Sequence, residues 1–326
     1  MRRREFLGVI GGAATLPLAA HAQQQSGISV IGYLGSSSLA SSADQLAGFR
    51  HGLNEASYIE GRNVAIEYRW SDGHYDRLPA MAAEFVSRRV AVIVASGLPA
   101  ALAAKAATAT IPILFVMGAD PVTSGIVSSF NRPGGNVTGV SQFYGALGGK
   151  RLELLRDLVP TATMIAVLTN PNNPNSENHL ADVQTVARAT GQKITIALAR
   201  NEAELDAAFA NFARERADAL LVADDPFFTV RHNQIVSLAA QNRLPAIYYA
   251  RGFAADGGLI TYGSSTRDNY RLGGVYVGRI LKREKPSDLP VLQPTKFELV
   301  INAQTARMLG ITVPPTLLAR ADEVIE

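Results

Sequence analysis

Short apolar runs recur along the chain, and between them apolar positions fall three and four apart. Ile28 to Leu34 predicts a buried strand, after which Leu46, Phe49, Leu53 and Ala56 repeat at helical spacing. Val64 to Trp70 predicts the next strand, and Leu78, Met81, Ala82 and Phe85 mark one face of a helix. Val90 to Ala95, a helix around Ala100 to Ala107, and Ile111 to Val116 continue the series. The order βαβαβ points to a parallel sheet with helices on both faces. Runs that are apolar throughout, instead of alternating, suit strands covered on both sides.

A Gly- and Pro-rich passage interrupts this half: Arg132-Pro133-Gly134-Gly135-Asn136, then Val137 to Ser141 and Gly145 to Gly149. A second series of the same kind follows, with strands at Thr163 to Leu168, Ile194 to Leu198, Ala219 to Val222 and Ala246 to Tyr249. Leu180, Val183 and Ala187 mark one of its helices, and Leu205, Phe209 and Phe212 another. Two α/β halves joined by a flexible passage predict two lobes with a cleft between them. Leu259 to Tyr262, a helix near Asn269 to Lys282 and Phe297 to Ile301 are too few for a third domain, so they are expected to complete the two sheets by crossing back.

Residues 1–22 stand apart from this pattern. Consecutive arginines, Arg2-Arg3-Arg4, precede an apolar run from Leu7 to Ala20 that ends in Ala20-His21-Ala22. That order of basic region, apolar region and A-x-A site predicts an export signal, and Arg-Arg followed by Phe6-Leu7 resembles the twin-arginine variety. The run is shorter than the roughly 20 apolar residues that span a bilayer; an uncleaved anchor is the other reading. Cleavage after Ala22 leaves a Gln-rich linker, 23–27, and a chain expected in the periplasm. Removing Arg2, Arg3, Arg4 and Glu5 takes away two of the three net positive charges, so neither nucleic acid nor an anionic membrane is indicated as partner. Cysteine is absent although the compartment permits disulfides, which leaves stability to the packed core.

Ligands of open parallel sheets sit beyond the carboxyl ends of the strands, so chemistry is sought in the loops there. Gly35-Ser36-Ser37-Ser38-Leu39-Ala40-Ser41-Ser42 leads into a helix, and its hydroxyls and free N–H groups suit an anion. Ser41 or Ser42 serves equally as an N-cap. Ser96-Gly97-Leu98-Pro99 opens another helix, with a glycine where backbone must approach something closely. Asp120 follows an apolar strand, and Asp120-Pro121 is also an ordinary turn initiator. In the second half, Thr169 to Ser176 is a polar loop before a helix. Asp224-Asp225-Pro226-Phe227-Phe228 pairs carboxylates with aromatics, and by composition it is the strongest site candidate.

Catalytic constellations are absent from the sequence. His51, His74, His179 and His232 are scattered with no metal-ligand spacing, and neither G-x-S-x-G nor G-x-G-x-x-G occurs. Gly149-Lys150 lacks the rest of a phosphate loop, since Tyr144 and Arg151 stand where Gly and Ser or Thr are required. No cofactor and no metal are expected.

A set of phrases in fixed order resembles one family. It comprises Gly48-Phe49-Arg50-His51-Gly52-Leu53, Tyr58-Ile59-Glu60-Gly61-Arg62-Asn63-Val64, Ile111-Pro112-Ile113, Asp120-Pro121-Val122, Pro133-Gly134-Gly135-Asn136-Val137-Thr138-Gly139-Val140, Ile301-Asn302 and Leu309-Gly310-Ile311. They resemble the substrate-binding proteins of ABC importers with the type I periplasmic-binding fold, in the group that includes tryptophan- and tyrosine-binding members. The resemblance implies two Rossmann-like lobes, three hinge crossings and closure around one small ligand. Lobe 1 is expected to comprise 28–142 and 259–288, and lobe 2 143–258 and 289–326. By position, Ser37, Ser38, Ser96 and Gly97 would face a ligand carboxylate, and Asp120 and Asp224 its amine. Asn175 and Ser176 occupy matching positions in the second lobe. The family often has Asp-Asn where this chain has Asp224-Asp225, so the added carboxylate favours a more cationic ligand. Tyr33, Tyr144, Phe227, Phe228 or Tyr249 would supply an apolar wall.

The expected function is therefore a periplasmic receptor, monomeric, that captures an amino acid or related molecule, possibly aromatic. It would deliver it to a membrane permease powered by a cytoplasmic ATPase. A sensory receptor presenting the closed lobes to a membrane kinase is the alternative within binding proteins, and a periplasmic enzyme using Asp120 or Asp224 as general base is the alternative outside them.

Overall fold

Residues 28–326 are described in a computed structural model; the signal and linker expected over 1–27 lie outside the described residues. Lobe 1 is built on β1 (Ser29–Gly35), β2 (Val64–Trp70), β3 (Val92–Ser96), β4 (Ile113–Met117) and β5 (Val137–Ser141), all parallel in the order β2-β1-β3-β4-β5. Its helices α1 (Ala43–Glu55), α2 (Leu78–Ser87) and α3 (Leu98–Ala107) connect them. The β5 segment, read from its flanking glycines and prolines as part of a connecting passage, is a fully buried strand.

Lobe 2 begins at α4 (Gly148–Leu158) and continues through β6 (Met164–Thr169), α5 (Ser176–Thr190), β7 (Lys193–Leu198), α6 (Glu202–Arg214) and β8 (Ala219–Val222). Then come α7 (Pro226–Val230), α8 (His232–Gln241), β9 (Ala246–Tyr248), α9 (Arg251–Ala255) and β10 (Ile260–Ser264). After α10 (Thr266–Leu281), the chain adds β11 (Phe297–Asn302), α11 (Ala303–Leu309), α12 (Pro315–Leu318) and β12 (Glu323–Ile325). The sheet order is β12-β11-β10-β9-β8-β6-β7, with β10 and β11 antiparallel. Local signals explain the ends. The Asn302 side chain accepts from the Thr305 N–H and starts α11, and Gly310, at φ 70°, stops it in the left-handed conformation that glycine tolerates.

The second and third crossings lie elsewhere than the expected division. Residues 259–264, placed there with lobe 1, form β10 in the sheet of lobe 2, because only the short helix α9 separates β10 from its parallel neighbour β9. Conversely, 289–292 stay with lobe 1: Leu292 bridges Val140, and the Thr138 hydroxyl donates to the Leu289 carbonyl at 2.7 Å. The chain thus crosses at 142–144, at 264–266 and between 292 and 297. The first two crossings are tied together. The Tyr144 hydroxyl donates to the Ser264 carbonyl at 2.9 Å, and the Ser264 hydroxyl to the Gln142 carbonyl at 3.0 Å.

Helix α10 returns to cover lobe 1. Tyr270, Tyr276, Val277 and Ile280 pack on Ile31, Val92, Leu114 and Val116 of the sheet. It also lies against α1 at a spacing set by glycines. A Cβ on Gly52 would stand 1.8 Å from the Arg271 carbonyl, and one on Gly274 2.2 Å from the Phe49 carbonyl. Gly52→Ala gains about 1 kcal/mol of helix propensity but forces two backbones apart. A net loss of about 2 kcal/mol is expected, read as a lower urea midpoint; an unchanged or higher midpoint would refute this account of the seam.

Candidate functional site

The carboxyl ends of both sheets face each other across a cavity of about 470 Å³, within the range of small-molecule sites. From lobe 1, Ser37, Ser96, Gly97 and Gly118 line it; from lobe 2, Asn173, Asn175, Asp224, Thr229 and Tyr249 do so, with Gln142 and Tyr144 at the first crossing and Tyr270 on α10. Gly97, at φ 93°, is held to glycine twice over, since a Cβ would also meet Ser36 Oγ at 2.9 Å. It turns the chain so that α3 points its N-terminal end at the cavity, where the helix dipole favours negative charge. The Ser96 hydroxyl is fixed by the Tyr270 hydroxyl at 2.5 Å.

Asp224 reaches across from lobe 2 until its Oδ2 lies over the Gly118 backbone; a Cβ there would come within 2.0 Å of it. Burial pushes this carboxyl up to about 7, Arg151 pulls it down, and Asp225 raises it further. The rise belongs to the closed cleft, because opening readmits solvent to a group that is only partly buried. Behind it, Arg151 is fully buried on α4, donating from Nε to the Tyr262 carbonyl at 2.9 Å and from one terminal nitrogen to the Tyr144 carbonyl at 3.0 Å. Burial lowers the guanidinium to about 10, and Asp224 opposes that shift most. A wall of aromatic rings closes one side: Tyr144 and Tyr249 have centroids 5.7 Å apart, and Tyr249 and Phe253 5.2 Å.

Among the residues expected to bind ligand, Ser37, Ser96, Gly97, Asn175 and Asp224 meet in this cavity. Five do not. Ser38 turns its hydroxyl to Ser41 at 2.9 Å and caps its own loop. Asp120 accepts from the Val122 and Thr123 N–H groups at 2.7 and 3.1 Å, which is the turn-initiator role. Ser176 lies buried at the start of α5, outside the lining. Phe227 is packed in the core of lobe 2.

Asp225 is the fifth, so the added carboxylate on which a more cationic ligand was expected stands outside the cavity. Its carboxyl is 1% exposed and caps α7, accepting from the Phe227 and Phe228 N–H groups at 2.9 and 3.3 Å. The Asn170 and Asn173 amides donate to it at 3.1 and 2.9 Å, and the Tyr75 hydroxyl at 2.7 Å. Burial pushes it up to about 6, with the Asn170, Tyr75 and Asn173 bonds holding it down. Of the five candidate wall residues, Tyr144 and Tyr249 line the cavity, whereas Tyr33 and Phe228 are core. Sequence reasoning missed Gln142, Tyr270, Thr229 and Phe253, and also Arg151, whose charge reads as a surface position.

The family model described as ABC transporter substrate binding protein matches residues 28–325. A tyrosine-binding protein of Clostridioides difficile is 28% identical over 265 residues, covering 81% of this chain and 76% of the relative. An ABC domain in complex with L-Trp from Streptococcus pneumonia superposes with a TM-score of 0.84 at 27% identity, over 91% of this chain and 99% of that one. The ligand-free, open structure of a substrate binding protein with adhesive properties from Clostridium difficile gives 0.64 at 25% identity with the same coverage. At nearly equal identity, the better fit to the ligand complex accords with the contacts across the cleft: the lobes are closed.

Proposed function

From the premise that the chain belongs to the ABC transporter substrate-binding family, with the type I periplasmic-binding fold, we propose that it is the solute receptor of an importer for an aromatic amino acid. One observation carries the ligand class: Asp224 stands in the same cavity as the N-terminal end of α3. A zwitterion placed there would set its carboxylate toward Ser37, Ser96, the Gly97 backbone and the α3 dipole, and its ammonium toward Asp224. Asn175 would add a polar contact. The mutually tilted rings of Tyr144, Tyr249 and Phe253 offer an apolar wall to an aromatic side chain. The tyrosine and tryptophan ligands of the two relatives support that reading.

The receptor works as a monomer in the periplasm, reached through cleavage of the signal at Ala22, and hands its ligand to a membrane permease driven by a cytoplasmic ATPase. Among the described residues no helix is long and apolar enough to cross a membrane. The test is calorimetric titration of residues 23–326, refolded to strip carried ligand, with L-tryptophan, L-tyrosine and non-aromatic amino acids. A one-to-one complex confined to the aromatic members is expected. Binding of polyamines or simple carboxylates in their place would overturn the ligand class.

A further inference from the structure

Tyr75 begins a short 3-10 turn of lobe 1, immediately before α2, yet its polar partners belong to lobe 2. Its hydroxyl donates to Asp225 Oδ2 at 2.7 Å and accepts from the Phe227 N–H at 3.2 Å. Its ring packs against both cores, the cluster of Leu78 and Leu98 and that of Phe227 and Phe228. Asp225 takes its remaining bonds from lobe 2, so Tyr75 is its one hydrogen-bond donor from lobe 1 among the described residues. The surrounding surfaces are cut to fit. A Cβ on Gly73 would meet the Phe227 ring at 3.1 Å, and one on Gly97 would meet Pro226 at 3.2 Å. Neither Tyr75 nor Asp225 lines the cavity.

We propose that Tyr75 and Asp225 form an interlobe latch that stabilises the closed state without touching the ligand. Opening withdraws the hydroxyl and leaves Oδ2 of a buried carboxylate one donor short. Asn173 links latch to cavity, because its amide donates both to Asp225 Oδ2 at 2.9 Å and to the Asp224 carbonyl at 3.1 Å while its side chain lines the cleft. A ligand that binds the closed form gains apparent affinity in proportion to the closed fraction. Tyr75 is therefore a positioning residue: it sets how much closure the ligand must itself supply. The effect on affinity rests on the receptor reading, whereas the latch is a property of the two lobes alone.

The sequence has no cysteine, so a labelled pair can be placed cleanly at exposed positions on α3 and α8, Ala106→Cys and Ser237→Cys. The interlobe distance distribution is then compared between this protein and its Tyr75→Phe variant, without ligand and with L-tryptophan. Phe keeps the ring and removes the hydroxyl. A smaller closed fraction and about tenfold faster tryptophan release are expected, with unchanged far-UV circular dichroism. Gly73→Ala, which props Phe227 away while keeping the hydroxyl, should shift the distances in the same direction. Unchanged distances and release rate in both variants would overturn the latch. If tryptophan does not bind, the receptor's ligand class fails, and the ligand-free distances still decide the latch.

Discussion

Asp224→Asn is expected to weaken binding of an amino-acid ligand by about a hundredfold, roughly 3 kcal/mol, as removal of one partner from an enclosed charge pair does. The loss should appear in titrations of a protein whose thermal midpoint without ligand is unchanged or raised. The sign follows from the position of the carboxyl in the closed cleft, pushed up from 3.8 to about 7. A group raised on folding contributes stability that is fully present below its unfolded value, and that contribution is lost as pH rises through about 7. The empty closed protein should therefore be more stable near pH 5 than near pH 8 as far as Asp224 decides it. Ligand binding runs the other way. An ammonium pairs with the carboxylate alone, so affinity should fall by up to tenfold per pH unit as acidification protonates Asp224. Dissociation constants measured from pH 5 to 9 would show this slope, and the Asn variant should abolish it. A slope that persists in the variant would assign the dependence to another group and remove Asp224 from contact with the amine.

The largest loss of stability is expected at the neighbouring position. Asp225→Ala strips partners from the Asn170 and Asn173 amides, from two N–H groups of α7 and from the Tyr75 hydroxyl. Leaving that many buried donors unsatisfied should cost about 3–5 kcal/mol. Asp225→Asn keeps the oxygen that caps α7 but sets an amide NH2 against the Asn173 donor, so it should cost less than Asp225→Ala without being neutral. Denaturant unfolding of the two variants tests the difference. Equal, small losses would mean that water replaces the carboxyl easily and that the cap is dispensable.

Two adjacent aspartates thus stand in different places, one in the cleft and one beneath α7, and composition alone does not tell them apart. Both follow an apolar strand and precede Pro226. Which of them reaches the cleft depends on where β8 ends and on Pro226 taking the first position of α7, which makes Asp225 the cap. Where a signal is local, the reading holds. Alternation of apolar runs and helical spacing located β1, β2, β6, β8 and β11 within a residue or two. The Gly48 to Leu53 phrase matched a family motif; its glycines prove to be the face where α1 meets α10. Long-range pairing is what the sequence conceals. Leu259 to Tyr262 looks the same whether it joins one sheet or the other, and its assignment turned on the neighbour β9. Arg151 was invisible for a different reason. A guanidinium beside Lys150 and Glu153 reads as solvated, and nothing nearby in the chain announces that carbonyls of Tyr144 and Tyr262 will receive it.

The glycine seam between α1 and α10 also constrains the order in which the molecule can assemble. A ribosome that has completed residue 142 has made all five strands of lobe 1, but not the helix that covers one face of their sheet. Ile31, Val92, Leu114 and Val116 must wait, bare of that cover, until residues 266–281 have emerged. Most of lobe 2 is synthesised in the interval. The first lobe begun is thus finished only after much of the second, and a chain cut anywhere before α10 is left with an open apolar surface rather than an independent half.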